Sequence, residues 1–379
     1  MEEGGEQGTY IMVGTKRMRC GHTTGTCAAA AAKASAIALL TGSFPENVEI
    51  LTPKGILLKL PVEEPFTDGK TAKCAVRKDG GDDQDATHGT LIFSEVGRTD
   101  SGIEIDGGKG VGRVTRKGLD QPPGNAAINK TPRSMIREAL EDVSFAYGYG
   151  GGFSVIVSVP EGEEISVRTF NPRLGIQGGI SILGTSGIVE PMSERALIES
   201  IKKEMDVHAA AGEKVLLIVP GNYGKEFSDS IPGIDDGMCV KCSNFIGEML
   251  DHACELETDI VLISNIGKIV KVAGGIMNTH SRNADCRMEI IASNAILAGA
   301  DLETARNILG CISTDDALGF LSPALIEKTS GILMEKIQFY MNHRTGGKIR
   351  TGAVMFSSVY GLLGKTENAD QLIKEVTGI

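Results

Sequence analysis

Residues 214–221 read KVLLIVPG and residues 245–263 read FIGEMLDHACELETDIVLI, and these stretches decide the fold class of the C-terminal half. The first stretch and the end of the second are short apolar runs, which are typical of buried strands. Between them, Met249 and Ala253 lie on the apolar face of a predicted helix. Alternating strands and helices indicate a parallel sheet with helical crossovers. We therefore predict a Rossmann-like α/β domain with a mainly parallel sheet over residues 176–379.

The N-terminal half has a different pattern. Threonines precede the alanine-rich run 28–40 and a glycine follows it, which indicates where a first helix begins and ends. Short β-like stretches separated by glycines run from 73 to 115, and a second helix is predicted after Thr131. We predict an α+β domain over residues 1–175. A strand predicted at 348–356 could join either sheet.

Charge and composition exclude several classes of protein. The chain has 379 residues, 49 acidic and 38 basic side chains, and a net charge of -11. Aromatic residues make up 4%, so the basic face or stacking surface of a nucleic-acid binder is not expected. No apolar run reaches the ~18 residues of a membrane span, and residues 1–6 are acidic where a signal peptide is basic. We expect a cytoplasmic protein whose cysteines are thiols.

Residues 79–88 form an acidic segment. They contain Asp79, Asp82, Asp83, Asp85 and His88. Carboxylates this close repel one another unless solvent, a metal or a cationic ligand relieves the repulsion. The segment could hold a metal, supply a general base or be a solvated loop, and the sequence leaves these alternatives open.

Three glycine-rich stretches are candidates for ligand binding. Residues 107–113 are glycine-rich and basic, which suits a clamp for carboxylates or phosphates as well as an ordinary charged hairpin. Residues 184–187 and 221–224 follow predicted strands, where open α/β sheets bind ligands. Neither is a G-x-G-x-x-G or Walker sequence, so each could bind a cofactor or only turn the chain.

Cysteine and histidine positions give a weaker signal. Cys239 and Cys242 have the spacing of half a zinc site, but a second C-x-x-C is absent, and we predict no metal site. His280 lies in a polar cluster at 278–282 after a glycine turn. It is a candidate site residue, although a lone histidine is more often structural.

Taken in order, these motifs resemble one family, the cobalt-precorrin-5B C(1)-methyltransferases of anaerobic cobalamin biosynthesis. The resemblance runs from about residue 19 to 295. It rests on GHTTGTCAA at 21–29, KDGGDD at 78–83, THG at 87–89, GKGVGR at 108–113, FNPRLGI at 170–176, residues 178–192, PGNYG at 220–224, residues 241–251 and residues 275–282.

The resemblance implies an activity. It implies methyl transfer from S-adenosylmethionine, the cofactor, to ring carbon C1 of a cobalt-bound tetrapyrrole, giving cobalt-precorrin-6A. Cobalt would enter only as part of the substrate. An activated methyl group requires chiefly alignment and exclusion of water, and the substrate's acetate and propionate groups require a local cationic surface on this acidic chain.

Candidate site residues follow for each role, with the N-terminal domain as substrate side and the C-terminal domain as cofactor side. As proton acceptor or polar steering group we predict Asp82, Asp83, His88 or His280. For the cofactor we predict Gly184, Thr185, Ser186, Gly187, Glu190, Gly221, Asn222 and Tyr223. For the substrate we predict Lys109, Arg113, Arg116, Arg133 and Arg173, together with a helix-start anion site at Thr23, Thr24 and Gly25.

Two other functions share part of this sequence pattern. A carrier that binds the corrinoid intermediate without chemistry would use the same carboxylate clamps but would need no saturable S-adenosylmethionine site. A nucleotide-dependent kinase would need a phosphate loop with a lysine, and residues 23–26 have none adjacent. A homo-oligomer and transient contacts with neighbouring pathway enzymes stay open.

Overall fold

An alanine-rich helix, α1 (Thr24–Thr41), is the central element of the N-terminal half. The computed structural model describes residues 9–221, 227, 231, 233–234 and 236–378. Thr23 caps the start of α1 and Gly42, with φ of 83°, caps its end, as the sequence predicts. Its alanines are buried on every side, because small side chains let strands approach the helix closely. Within the described residues, α1 alone is long and apolar enough to span a membrane, but it lies in the protein core.

The strands of the N-terminal unit form one five-stranded sheet and several two-stranded ones. The strands are β1 (Tyr10–Val13), β2 (Lys16–Arg19), β3 (Gly21–His22), β4 (Asn47–Leu51), β5 (Leu57–Pro61), β6 (Glu63–Thr67), β7 (Thr71–Arg77), β8 (Leu91–Thr99), β9 (Ile103–Gly107), β10 (Gly110–Val111), β11 (Arg113–Val114), β12 (Gly152–Ser158), β13 (Ile176–Gln177), β14 (Gly179–Ile180) and β15 (Ile188–Val189). The main sheet has the order β6, β7, β8, β12, β9 and is antiparallel except between β12 and β9. The predicted hairpin is β4 paired with β5.

Three further helices complete this unit: α2 (Lys130–Tyr147), α3 (Gly162–Ser166) and α4 (Asn171–Leu174). The apolar side of α2, including Met135, Ile136 and Leu140, shares one hydrophobic core with α1 and the main sheet. The fold is thus mixed α/β, with sheets of mixed orientation.

The boundary between the two units differs from the prediction. One compact unit extends to Glu194 and the other begins at Arg195, whereas we expected the change near residue 175. The intervening residues belong to the N-terminal unit because β14 pairs with β10 and β15 pairs with β3. The apolar run 180–183 resembles a strand of an α/β sheet, but its pairing partners lie far away in the N-terminal sequence.

The C-terminal unit contains a five-stranded sheet in the order β17, β16, β18, β19, β20. Its strands are β16 (Val215–Val219), β17 (Cys239–Lys241), β18 (Asp259–Asn265), β19 (Thr351–Ser357) and β20 (Gly361–Lys365). The first four are parallel and β20 is antiparallel. The strand predicted at 348–356 is therefore β19, which lies beside β18 in this sheet.

Helices cover the C-terminal sheet. They are α5 (Glu194–Ala210), α6 (Ile246–Glu255), α7 (Ile266–Ile269), α8 (Arg287–Leu297), α9 (Leu302–Leu309), α10 (Thr314–Gly319), α11 (Pro323–Thr345) and α12 (Ala369–Thr377), with short 3-10 helices at Asp236–Met238 and Val272–Gly274. The larger apolar core lies between the sheet and helices that include α6, α8 and α11. A smaller core beneath α12 contains Val354 and Leu372. Apolar residues on both faces explain why β16 and β18 read as continuous hydrophobic runs.

Candidate functional site

The acidic segment 79–88 is held against the strands that precede α1. The guanidinium of Arg19 donates two hydrogen bonds to the carboxylate of Asp79, one of them 2.9 Å long. The backbone of Cys20 forms a bridge with Gly81. Because Arg19 stabilises the ionised carboxylate, the pKa of Asp79 is lowered to about 2. Asp79 is therefore an anion that supports the structure and is poorly suited to accept a proton.

An ion pair on a buried lysine anchors the same segment. Lys78 is 2% exposed, and its ammonium donates to Asp85 Oδ2 over 2.6 Å. The other oxygen of Asp85 accepts hydrogen bonds of 2.8 and 2.6 Å from the amide and hydroxyl of Thr87. Burial would raise the pKa of Asp85, but the charge of Lys78 and these hydrogen bonds outweigh it, so the pKa is lowered. Both groups are used within the fold.

Asp82 and Asp83 differ from these two aspartates. Asp82 Oδ2 accepts from the amide of Arg19 over 2.6 Å, and Asp83 Oδ1 accepts from the amide of Met192 over 2.9 Å. Among the described residues, the second oxygen of each carboxylate has no hydrogen-bond partner. The structure thus leaves two of the four predicted catalytic residues with one open acceptor each.

In both predicted histidines, Nδ1 accepts a hydrogen bond from the backbone. The amide of Gly80 donates to His88 Nδ1 over 3.0 Å, and the amide of Arg282 donates to His280 Nδ1 over 3.1 Å. A nitrogen that accepts a hydrogen bond carries no proton, so these contacts favour the tautomer with the proton on Nε2. The arrangement favours the predicted steering role over the predicted proton-acceptor role. His88 lies in the N-terminal unit and His280 in the C-terminal unit.

His22 is a titratable residue that sequence reasoning did not select. Its Nε2 lies 3.0 Å from the carbonyl oxygen of Arg77 and 3.3 Å from the amide nitrogen of Asp79. Burial lowers the pKa of His22, which favours the neutral form of the ring. The only local sequence feature that could have pointed to His22 is its place beside the threonines of α1, because the groups that it contacts are far away in the sequence.

The start of α1 and the loop after β14 bond to each other, which corrects the predicted anion site at Thr23, Thr24 and Gly25. The amide of Gly25 donates to Leu183 O over 3.1 Å, and the amide of Leu183 donates to Thr24 Oγ1 over 2.9 Å. A Cβ on Gly184 would lie 2.3 Å from Thr23 Oγ1. These polar groups are used within the fold because the first turn of a buried helix needs partners from the chain.

The rest of this loop is also tied to the N-terminal unit, although we predicted it on the cofactor side. Ser186 O accepts from the amide of Lys54 over 3.1 Å, and the ammonium of Lys54 forms an ion pair with Glu190. A Cβ on Gly187 would lie 2.8 Å from Thr52 Cβ. Thr185 is exposed.

Gly221 lies in the C-terminal unit, directly after β16. Its φ is 90°, a left-handed conformation that favours glycine. A Cβ at this position would lie 3.4 Å from Lys268 Nζ. Asn222 and Tyr223 lie outside the described residues. The predicted cofactor residues are therefore divided between the two units.

Arg113 and Arg133, two of the five predicted substrate-binding cations, are held by groups of the N-terminal unit. Arg113 donates to both carboxylate oxygens of Asp106, over 2.7 and 3.0 Å. Arg133 donates to the carbonyl oxygens of Ile128 and Ile105, over 2.9 and 2.8 Å. Burial lowers the pKa of Arg133. These contacts reduce the charge that the two arginines offer to a ligand.

The other three predicted cations lie in different settings. Arg116 approaches Arg173 O at 3.5 Å, and Arg173 itself is half-buried in α4. Lys109 is exposed. Within the described part of the chain its ammonium makes no ion pair, so Lys109 is the predicted cation best placed to meet an anionic substrate.

The cysteine pair does not have the surroundings of a zinc site. Cys239 and Cys242 are buried, and burial raises the pKa of the Cys242 thiol to about 12. His252 Nε2 is instead 2.7 Å from Asp206 Oδ1, and its Nδ1 is 2.8 Å from Glu255 Oε2. Among the described residues, no three His, Cys, Asp or Glu side chains are grouped as metal ligands.

Two shallow concavities are lined by none of the predicted site residues that the structure describes. One, of about 440 Å³, is lined by residues that include Asp251 and Arg344. The other, of about 400 Å³, is lined by residues that include Arg137 and Glu141. Asp251 and Arg344 form an ion pair of 2.6 Å with each other, so the first concavity contains a satisfied pair.

Comparison with known proteins gives a consistent result. The family model CbiD matches residues 12–191, and the model of the CbiD C-terminal domain matches residues 278–367. The cobalt-precorrin-5B C(1)-methyltransferase of Ruminiclostridium cellulolyticum is 47% identical over 97% of each chain. The protein of that name from Alkaliphilus metalliredigens is 43% identical over 96% of this chain and 97% of its own. A crystal structure of cobalamin biosynthesis protein (cbiD) from Archaeoglobus fulgidus is 31% identical, with a TM-score of 0.40, covering 72% of this chain and 86% of that one.

Proposed function

Because this chain belongs to the CbiD family, we propose that it is a methyltransferase that converts cobalt-precorrin-5B to cobalt-precorrin-6A in anaerobic cobalamin biosynthesis. The observation that carries this proposal is the 47% identity, over 97% of both chains, to a relative named cobalt-precorrin-5B C(1)-methyltransferase. We further propose that S-adenosylmethionine is the methyl donor and that the reaction takes place in the cytoplasm.

Of the two predicted loops, we favour the one that begins at Gly221 as the place where this donor would bind. When bound, S-adenosylmethionine supplies a methyl group on a positively charged sulfur. The loop at Gly184 offers it no space, because a Cβ there would already meet Thr23 at 2.3 Å. The carboxyl ends of β16 and β18 in the mainly parallel C-terminal sheet are better candidates, since open parallel sheets bind ligands at this edge. We place Gly221 among the residues that would hold it.

The remaining roles follow from the side chains that keep open polar atoms. The free oxygens of Asp82 and Asp83 are the proposed proton acceptors. The Nε2–H groups of His88 and His280 are proposed donors to polar groups of the tetrapyrrole, and exposed Lys109 is proposed to bind one of its carboxylates. No covalent nucleophile is needed, because a sulfonium methyl group is already activated.

The test is an anaerobic single-turnover reaction of the whole protein with cobalt-precorrin-5B and S-adenosylmethionine labelled in its methyl group. We expect a product that carries one labelled methyl group at C1, seen by mass spectrometry and NMR. A protein that binds the tetrapyrrole tightly but transfers no label would instead be the corrinoid carrier considered above.

A paired substitution tests the proton acceptors. The double variant Asp82→Asn, Asp83→Asn should lower the single-turnover rate by about 10²-fold, the usual lower limit for loss of general acid–base catalysis. The exposed Asp142 of α2 provides the matched control, Asp142→Asn, which should leave the rate unchanged. Equal rates for all three proteins would remove these aspartates from the reaction.

A further inference from the structure

Lys268 is a half-buried cation that no acidic side chain in the described part of the chain neutralises. It lies in α7, the short helix that follows β18. Among the described residues, its ammonium makes no hydrogen bond and no ion pair. Burial lowers the pKa of Lys268, and the positive charge of Lys271 also acts to lower it. An ammonium partly removed from water without a partner is unfavourable, so this charge requires an explanation.

The neighbours of Lys268 that the structure describes do not supply a counter-charge. The thiol of Cys242 is neutral at pH 7, because burial raises its pKa to about 12. Lys271 is itself a cation, and it donates to the carbonyl oxygens of Thr279 and Ala284 over 3.1 and 2.8 Å. Asp285, the acidic group near Lys271, lies 3.8 Å from the Lys271 ammonium. Two ammonium groups therefore lie near one another, and Lys268 is the unpaired one.

The position of Lys268 is that of a ligand site in parallel sheets. The backbone of Gly221, two residues after the end of β16, passes close to its ammonium, with 3.4 Å between Lys268 Nζ and a Cβ built on the glycine. Asn265 ends β18, and its Nδ2 has one long contact of 3.5 Å, to Ser358 Oγ. An unpaired ammonium, a glycine backbone and a weakly engaged amide donor thus lie at the carboxyl edge of β16, β18 and β19.

We propose that Lys268 binds a carboxylate of one of the reactants at this edge. The inference rests on the proposed function, whose reactants supply two sources of carboxylate. One is the amino-acid carboxylate of S-adenosylmethionine, and the other is the acetate and propionate fringe of the tetrapyrrole. A lysine is a point charge that can bind either group without the fixed geometry of an arginine.

Calorimetric titration of the wild-type protein and its Lys268→Met variant tests whether Lys268 binds a reactant carboxylate. The first pair of probes is S-adenosylhomocysteine and 5′-methylthioadenosine, of which the second lacks the amino-acid part. The second pair is cobyrinic acid and cobinamide, of which the second has amides in place of the carboxylates. The control is Lys328→Met, which removes an exposed ammonium of α11 in the same unit.

If Lys268 binds the donor, Lys268→Met lowers the affinity for S-adenosylhomocysteine at least tenfold and changes the affinity for methylthioadenosine less than twofold. If Lys268 binds the tetrapyrrole, the variant has at least tenfold lower affinity for cobyrinic acid and unchanged affinity for cobinamide. Wild-type affinity for all four probes in Lys268→Met would overturn the inference while leaving the proposed function intact. Failure of the wild-type protein to bind any probe would instead reject the proposed function.

Thermal unfolding separates a binding defect from a folding defect. Methionine has a similar length and needs no counter-ion, so unliganded Lys268→Met should unfold at or above the wild-type Tm. The stabilisation by saturating ligand should be smaller than in the wild type. A Tm well below that of wild type without ligand would mean that Lys268 has a structural partner, and would contradict the inference.

Discussion

The charged segment 78–88 of the N-terminal unit and the carboxyl edge of the C-terminal sheet each contain a lysine removed from water, but the two lysines differ in whether a counter-ion lies beside them. Lys78 is almost completely buried, yet Asp85 lies 2.6 Å from its ammonium. Lys268 is only half-buried, yet within the described chain it has no counter-ion. Both ammonium groups lose hydration, and only the first regains an equivalent interaction inside the protein.

This difference shows where charge serves the fold and where it is available to a ligand. Asp79 and Asp85 drew attention in the sequence as part of an acidic cluster, but both are paired with cations inside the unit. Lys268 has no unusual sequence context, and its environment becomes visible only when the strands are placed side by side. A dense charge cluster is therefore a poorer indicator of a binding site here than one cation without a partner.

The largest effect should come from breaking the buried pair. Asp85→Ala leaves the Lys78 ammonium buried and unpaired, so we expect a loss of about 3–5 kcal/mol in the free energy of unfolding. Lys268→Met, which removes a charge that has no partner among the described residues, should change this free energy by less than about 0.5 kcal/mol. Urea denaturation of the wild type, Asp85→Ala and Lys268→Met measures both changes in the free energy of unfolding.

The double variant Lys78→Met, Asp85→Leu is the control for this experiment. It removes both charges, so it should be more stable than Asp85→Ala, since no isolated charge stays buried. Equal losses for Asp85→Ala and Lys268→Met would show that the two lysines are equivalent, and the comparison would fail.

A smaller effect distinguishes the glycine loops. Gly184→Ala should cost about 2–4 kcal/mol, because its Cβ overlaps Thr23 and its φ of 133° is strained for alanine. Gly178→Ala is the matched control: its φ is also positive, at 78°, but no atom lies within 4 Å of the new Cβ. It should cost about 1–2 kcal/mol. Thermal or urea unfolding measures the difference, and equal costs would mean that this loop is not packed on the start of α1.

Local signals in the sequence predicted most of the regular elements. The caps of α1 at Thr23 and Gly42, the hairpin of β4 and β5, and the alternation from α5 to β18 all follow from neighbouring residues. The domain boundary could not be predicted in this way. It depends on the pairing of β15 with β3, which joins segments more than a hundred residues apart.

The candidate site was predictable in part for the same reason. Sequence motifs selected Asp82 and Asp83, which keep open acceptor atoms, and Gly221, which follows a parallel strand. They did not select Arg19, because its bond to Asp79 joins two distant segments. The protonated nitrogen of His88 likewise depends on the amide of Gly80, a contact that composition and spacing do not reveal.

The smallest predicted effect is the pH dependence contributed by the Arg19–Asp79 pair. The pKa of Asp79 is about 2 in the folded protein and has an ordinary value of 3.8. Its stabilisation is therefore fully present above pH 4 and is lost as the pH falls toward 2, because the unfolded chain takes up the proton first. Since both side chains are about one-third exposed, we expect the pair to stabilise the folded protein by only about 1 kcal/mol.

Asp79→Asn should lower the unfolding free energy at pH 5, and its unfolding free energy should converge with that of wild type near pH 2. Lys268→Met should run parallel to wild type throughout, because its ammonium does not titrate in this range. A constant difference between Asp79→Asn and wild type would mean that the carboxylate has no charge-dependent role, and the contrast would then rest on Lys78 alone.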